Sequence, residues 1–168
     1  MKPDMCVPCG DGLVNLRVGA IIEKKGKILM VADKRFDYLY SVGGRIKMGE
    51  TSREAVLREV SEETGAHLEI ERLAFIEENY FYGDVPKNKN KLIYELALYY
   101  LMKTPEDFEP VSSDFDEEGD TQSLVWVDPK TEMTLYPRFL KTELPCTHDG
   151  VQYFLSDERR KGDREDIV

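Results

Sequence analysis

The stretch LVNLRVGAIIEKKGKILMVAD, residues 13–33, holds two apolar, β-branched runs separated by the charged segment Glu23 to Lys27 with Gly26 inside it. That pattern predicts a β-hairpin. After a basic and aromatic loop around Lys34, Arg35 and Phe36, the run DYLYSV predicts another strand, closed by a glycine turn at Gly43 and Gly44. Residues 51–64, TSREAVLREVSEET, are rich in helix formers, carry Thr51 or Ser52 as a cap with Glu54 behind it, and stop at Gly65, which predicts a helix. Two long strands are expected in HLEIERLAFIEENYFY (67–82) and KLIYELALYYLMK (91–103), around the polar loop GDVPKNKN, and a further one in TQSLVWVD (121–128). Residues 104–120 read as an acidic loop, and MTLYPRFLKTEL as a shorter helix interrupted or started near Pro137.

Composition adds limits to this mixed α and β pattern. A chain of 168 residues suits one domain, expected over 1–156, with the charged residues 157–168 as a flexible tail. No apolar run approaches membrane-spanning length and the N-terminus lacks a secretory core, so the expected address is the cytoplasm, without membrane contact. Cys6, Cys9 and Cys146 are then expected as reduced thiols. A net charge of -10 opposes extended contact with nucleic acid, yet carboxylates that recruit a divalent cation can still hold a small phosphate compound.

On the predicted helix Glu59, Glu62 and Glu63 fall on one face, at i, i+3 and i+4, with Val56, Leu57 and Val60 on the adjoining apolar face. Such like charges oppose one another by about 0.2–0.5 kcal/mol per pair. Either solvent and the neighbouring Arg53 and Arg58 compensate, making an ordinary wet surface, or a hard cation sits there.

The surrounding residues favour the cation. Gly44, Glu50, Arg58, Glu59, Glu62, Glu63 and Gly65, with Val60 and Ala66 at the aliphatic positions, stand at the spacing of the Nudix box, and the segment GGRIKMGETSREAVLREVSEETGA resembles that motif closely. Ala66 is smaller than the family's usual closing residue. The resemblance implies an α+β fold, a single-domain α/β/α sandwich around a mixed sheet. It implies that Glu59, Glu62 and Glu63 bind Mg2+, with Mn2+ able to substitute. Glu50 would support the site from the loop, Arg58 would orient the carboxylates, and Gly43, Gly44 and Arg45 would meet the substrate phosphates. For the proton of the attacking water, Glu59 is the first candidate and Glu118, in the acidic loop, the second.

Other residues are weighed against blander roles. Glu118 shares its loop with Asp114, Asp116, Glu117 and Asp120, where solvated carboxylates are ordinary. Tyr80 and Tyr82 share a strand face and could stack a base, and Tyr82 lies near the tyrosine of dinucleoside polyphosphate hydrolases of this family, whereas Trp126 reads as core. Arg17, Arg45, Lys34 and Arg35 suit surface ion pairs or phosphate contacts, and His67 merely opens a strand. Cys6, Cys9, Cys146 and His148 could together bind zinc, although free thiols are the simpler expectation.

The sequence therefore points to a metal-dependent pyrophosphohydrolase acting on a nucleoside diphosphate linked to another group, foremost a nucleoside triphosphate or a modified one, with a homodimer as a candidate assembly. ADP-ribose and dinucleoside polyphosphates are alternative substrates, although the proline that marks many ADP-ribose enzymes of the family is missing. A nucleotide sensor without catalysis is a rival of another class, disfavoured by the intact carboxylates, and an isomerase or RNA cap hydrolase a third.

Overall fold

The computed structural model describes residues 2–111, 114–117 and 120–160. It begins with a short edge hairpin, β1 (Cys6–Cys9) against the start of β2 (Gly12–Ile21). The chain then passes through β3 (Glu23–Lys24), β4 (Lys27–Asp33), β5 (Tyr38–Ser41) and β6 (Gly43–Arg45) into α1 (Ser52–Thr64). Two long strands follow, β7 (Glu69–Tyr82) and β8 (Leu92–Lys103), then β9 (Asp114–Glu117), β10 (Asp120–Val127), β11 (Thr134–Tyr136), the single-turn α2 (Leu140–Glu143) and β12 (Gln152–Asp157). Glu158–Arg160 form a 3-10 turn, so the start of the expected tail is ordered, with Arg159 donating to Asp157 and lying 3.6 Å over the ring of Tyr80. Residues 161–168 of that tail lie outside the described residues.

Among the described residues the strands form two mixed sheets. One runs β1-β2-β8-β7-β12 with β6 also on β2, and the other β11-β5-β4-β10-β9 with β3 on β4. The pairs β2–β8, β7–β12 and β5–β11 are parallel. The long hairpin expected over residues 13–33 is therefore confined to its tip: Leu29 N–H donates to Ile22 O, β3 pairs with β4, and the body of β2 belongs to the other sheet. Apolar alternation marks a strand but says nothing of its neighbour, and here the two runs part company at Ile22.

Helix α1 packs Ala55, Val56 and Val60 against Val18, Ala20 and Tyr100 of one sheet and Leu29, Val31 and Leu124 of the other. On the opposite face Phe139 and Leu140 pack on Ile21, Met30, Phe75 and Leu101. This is an α/β/α arrangement in a single domain. Leu57, expected in the core, is exposed, because Val56 and Val60 already fill the buried stripe. The helix expected in residues 133–144 is mostly replaced by β11, whose Leu135 completes the apolar layer, and only 140–143 are helical. The acidic loop contains β9, paired with β10, and the glycine turn at 43–44 is instead strand β6. Trp126 is half-buried rather than core: its indole N–H donates to Glu109 and Lys24 Nζ stands 4.5 Å over its ring. No helix among the described residues is long and apolar enough to cross a membrane.

Candidate active site

The helix that carries the acidic residues is set by its ends. Thr51 is the N-cap, its hydroxyl accepting from Glu54 N–H while the Glu54 carboxylate accepts from Thr51 N–H, a complete capping box. Gly65, at φ 68°, closes the helix in a left-handed turn with its N–H on Ser61 O. Between these fixed points the carboxylates lie toward the edge of the sheet formed by β6, whose residues Gly43, Gly44 and Arg45 pair with Gly19, Val18 and Arg17 of β2.

Arg58 is the hub. Its Nε and Nη2 donate to the two oxygens of Glu50 (3.1 and 2.7 Å), Nη1 to Glu59 Oε1 (2.6 Å) and Glu62 Oε2 (3.1 Å), and Nη2 also to Arg45 O (3.0 Å). Glu50 in turn accepts from Lys47 N–H at 2.7 Å, which ties the loop before the helix to the helix itself. The fork toward Glu50 is the bidentate geometry that guanidinium supplies and ammonium does not. Hydrogen bonding from Arg58 holds the Glu50 carboxyl below its ordinary value, whereas burial raises that of Glu59 against the pull of Arg58. Glu59 is thus a desolvated carboxylate beside a charged partner.

Glu59 and Glu63 are drawn inward by missing side chains. The Glu59 carboxylate occupies the space over Gly44: a Cβ there would lie 2.5 Å from Cδ and 2.8 Å from Oε2. Glu63 is buried, at 7% exposure, and its Oε1 accepts from Gly43 N–H at 3.3 Å. Glu62 faces solvent, its side chain 55% exposed. The acidic trio therefore does not converge: among the described residues no three acidic, histidine or cysteine side chains form a ready metal cluster. Arg58 stands between Glu59 and Glu62, and Glu63 serves the backbone of β6. The donor chemistry still fits a hard cation, since magnesium uses one or two carboxylates and takes its remaining oxygens from water and phosphate. Glu59 and Glu62 together supply that much, with a guanidinium that a cation can displace.

The other sequence candidates fall in three places. Arg45 is at the site, its Nε donating to Asn15 Oδ1 (3.2 Å) and its Nη1 3.5 Å from Asp4, and Arg17 faces it across the β2–β6 pair. Tyr82 and Tyr80 are elsewhere: with Tyr94, Leu13 and Leu92 they line an open cavity of about 550 Å³. Tyr94 is level with Val14, four residues and so roughly 13 Å along β2 from Val18, which is level with Gly44. Glu118 lies outside the described residues. Arg35 forks onto the buried Asp33, a structural pair.

The four zinc candidates are separated. Cys6 pairs with Asn15 of β2 in one sheet, while Cys146 N–H donates to Glu23 of β3 in the other, and among the described residues no three cysteine, histidine or acidic side chains come together. Cys146 Sγ is 3.3 Å from His148 Nε2, and the thiol is raised by burial; all three cysteines are free. Sequence reading missed three buried polar residues of the sheet that carries β2 and β6: Asn15 (4% exposed), Glu77 (4%) and Glu95 (8%). Their signal was available, because Glu95 interrupts the buried phase Ile93, Ala97, Tyr99 of β8 with a charge.

Comparison with known proteins agrees with this geometry. The family model described as NUDIX domain matches residues 14–143. Among solved structures, a mutator MutT protein from Bacillus halodurans superposes with a TM-score of 0.62 at 16% identity, covering 86% of this chain and 92% of its own. A MutT NUDIX hydrolase from Burkholderia pseudomallei gives 0.58 at 23% identity (78% and 98% covered). An ADP-ribose pyrophosphatase from Streptococcus suis gives 0.54 at 19% identity (83% and 98%). These identities establish likeness of fold. No protein of curated function matches the chain.

Proposed function

Because this chain belongs to the Nudix hydrolase family, we propose that it is a divalent-cation-dependent pyrophosphohydrolase of nucleoside diphosphates linked to another group, foremost nucleoside triphosphates or their modified forms. The observation that carries the reading is the Glu59 carboxylate, turned against Gly44 at the sheet edge and bridged by Arg58 to Glu50 and Glu62. Structural likeness to proteins named MutT and ADP-ribose pyrophosphatase supports the class of substrate.

Glu59 and Glu62 would hold Mg2+, or Mn2+ in its place, with Glu63 behind them through Gly43. A cation bound there would supply positive charge for the diphosphate oxygens and would make water easier to deprotonate. The residues of the chain do the rest. Gly44, having no side chain, lets the substrate's phosphates come close to backbone. Arg45 and Arg17 present guanidiniums to those phosphates. Arg58 fixes the directions of Glu50, Glu59 and Glu62, so that little reorganisation accompanies the chemical step. Glu59, desolvated and beside the reacting centre, accepts the proton of the attacking water; Glu118 is the second candidate for that duty. Tyr82 would stack a distal group only in a substrate long enough to span from the box to its cavity.

The test is product identification with nucleoside triphosphates, oxidised triphosphates, ADP-ribose and dinucleoside polyphosphates, in magnesium, in manganese and in chelator. Metal-dependent release of a nucleoside monophosphate from one class supports the proposal and names the substrate. Saturable nucleotide binding with no cleavage anywhere in the panel would replace it with the sensor reading.

A further inference from the structure

Glu77 and Glu95 are two buried carboxylates in strands remote from the box, and burial of charge needs compensation. Glu77 has it locally, from the hydroxyls of Ser156 (2.8 Å) and Tyr99 (3.4 Å). Glu95 is engaged toward the site instead. Its Oε2 accepts from Asn15 Nδ2 at 2.7 Å and lies 3.9 Å from Arg17 Nε. The same Asn15 amide uses its oxygen to accept from Arg45 Nε at 3.2 Å. One buried carboxylate thus reaches two arginines, one directly and one through an amide.

Those arginines are directly opposed across β2 and β6, an arrangement of like charges that destabilises a sheet unless it is offset. Below them Glu95 offsets it, and at the side Asp4 does so. Their side chains remain 33% and 40% exposed, on the strand edge that also carries Gly44. Two guanidiniums from paired positions at the edge of a carboxylate site suit an anion with several oxygens, which the carboxylates alone would repel.

We propose that Glu95 is a positioning residue for substrate phosphate: through Arg17 and Asn15 it holds the Arg17–Arg45 pair toward the box, where the pair grips the nucleotide. This rests on the pyrophosphohydrolase reading. The pair adds grip to the bound substrate and to the reacting one alike, so its loss falls on KM more than on kcat.

The experiment compares Glu95→Ala and Glu95→Gln, each also in an Arg17→Ala/Arg45→Ala background. Readouts are kcat, KM and calorimetric binding of α,β-methylene-ADP, which cannot be cleaved at its bridge. Glu95→Ala is expected to raise KM and weaken binding about tenfold, with kcat within about threefold, the pattern of lost uniform binding. Glu95→Gln, which still offers Asn15 an acceptor, should show a smaller change of the same sign; it alone suffices if the alanine variant does not fold. In the double-arginine background neither Glu95 change should add anything, since the residues act as one unit. An active wild type whose KM ignores both substitutions, or a penalty undiminished in that background, overturns the positioning role alone. A wild type that neither cleaves nor binds any nucleotide overturns the hydrolase reading and this proposal together.

Discussion

The Glu59 carboxylate fills the volume that a side chain at position 44 would claim, with Cδ 2.5 Å and Oε2 2.8 Å from where the Cβ of such a residue would stand. Gly44 is therefore part of the acidic site although it carries no functional group. Gly44→Ala need only push aside the end of a flexible side chain, so the fold should survive with little change in Tm. Activity should fall on the order of a hundredfold, the scale on which a small misplacement of a reacting group is felt. Thermal unfolding together with kcat/KM checks both halves.

Gly43 should behave in the opposite way. At φ 145° its added Cβ would strike the carbonyl oxygen of Val18 and lie 2.8 Å from Gly19 Cα, so backbone must move. Gly43→Ala is expected to destabilise the protein by a few kcal/mol and to lower Tm by several degrees. A Tm equal to that of Gly44→Ala would contradict the distinction.

Arg58 neutralises Glu50, Glu59 and Glu62 at once, with a side chain only 21% exposed. Arg58→Ala leaves two largely buried carboxylates uncompensated and should cost about 3 kcal/mol of stability. Arg58→Lys keeps the charge but not the fork onto Glu50, and should recover part of the stability and little of the turnover. Urea unfolding and kinetics of the two variants side by side decide this.

Glu77 predicts a pH dependence. Burial, reinforced by the Glu95 carboxylate and opposed by Ser156 and Tyr99, pushes its carboxyl from 4.5 up to about 7. The folded protein then binds more protons than the unfolded chain between those values. Stability conferred by the protonated form is complete below about pH 4.5, declines as pH rises toward 7, and changes no further above it. Glu77→Gln should flatten that decline and stabilise the protein above pH 7 by up to a few kcal/mol. Urea midpoints measured from pH 5 to 8 would reject the argument if the two proteins ran parallel.

Thr51→Ala removes the hydroxyl that caps α1 and should cost about 1 kcal/mol. Because Glu59 lies two turns further on, kcat at room temperature should hold while Tm drops, which a melting curve and one saturating assay would show.

How far the sequence disclosed this molecule depends on the range of the interaction concerned. The capping box, the Gly65 stop and the shared face of Glu59 and Glu62 are local consequences of helical geometry, and all are present. Partnering across sheets is not local. Nothing in LVNLRVGAII says that β2 runs parallel to β8, and without that register Glu95 cannot be matched with Asn15 or with Arg17. The partners that Glu59, Glu62 and Glu63 take in the structure lie beyond local reading for a related reason. Spacing places three carboxylates on one face, but the backbone of β6 takes Glu63 and the guanidinium of Arg58 takes the other two.

The parallel register between β2 and β8 also makes the active protein its own proof of correct folding. Asn15 is opposite Glu95 and Val18 opposite Leu98, so this polar pair and this apolar pair fall on opposite sides of the ribbon. A slip of one position would send Asn15 and Arg17 beneath α1 and take Val18 and Ala20 away from Val56 and Val60, so a misregistered chain would lose its core along with its arginine pair. A preparation that turns over substrate has therefore passed an assembly check that its helix content alone could not provide.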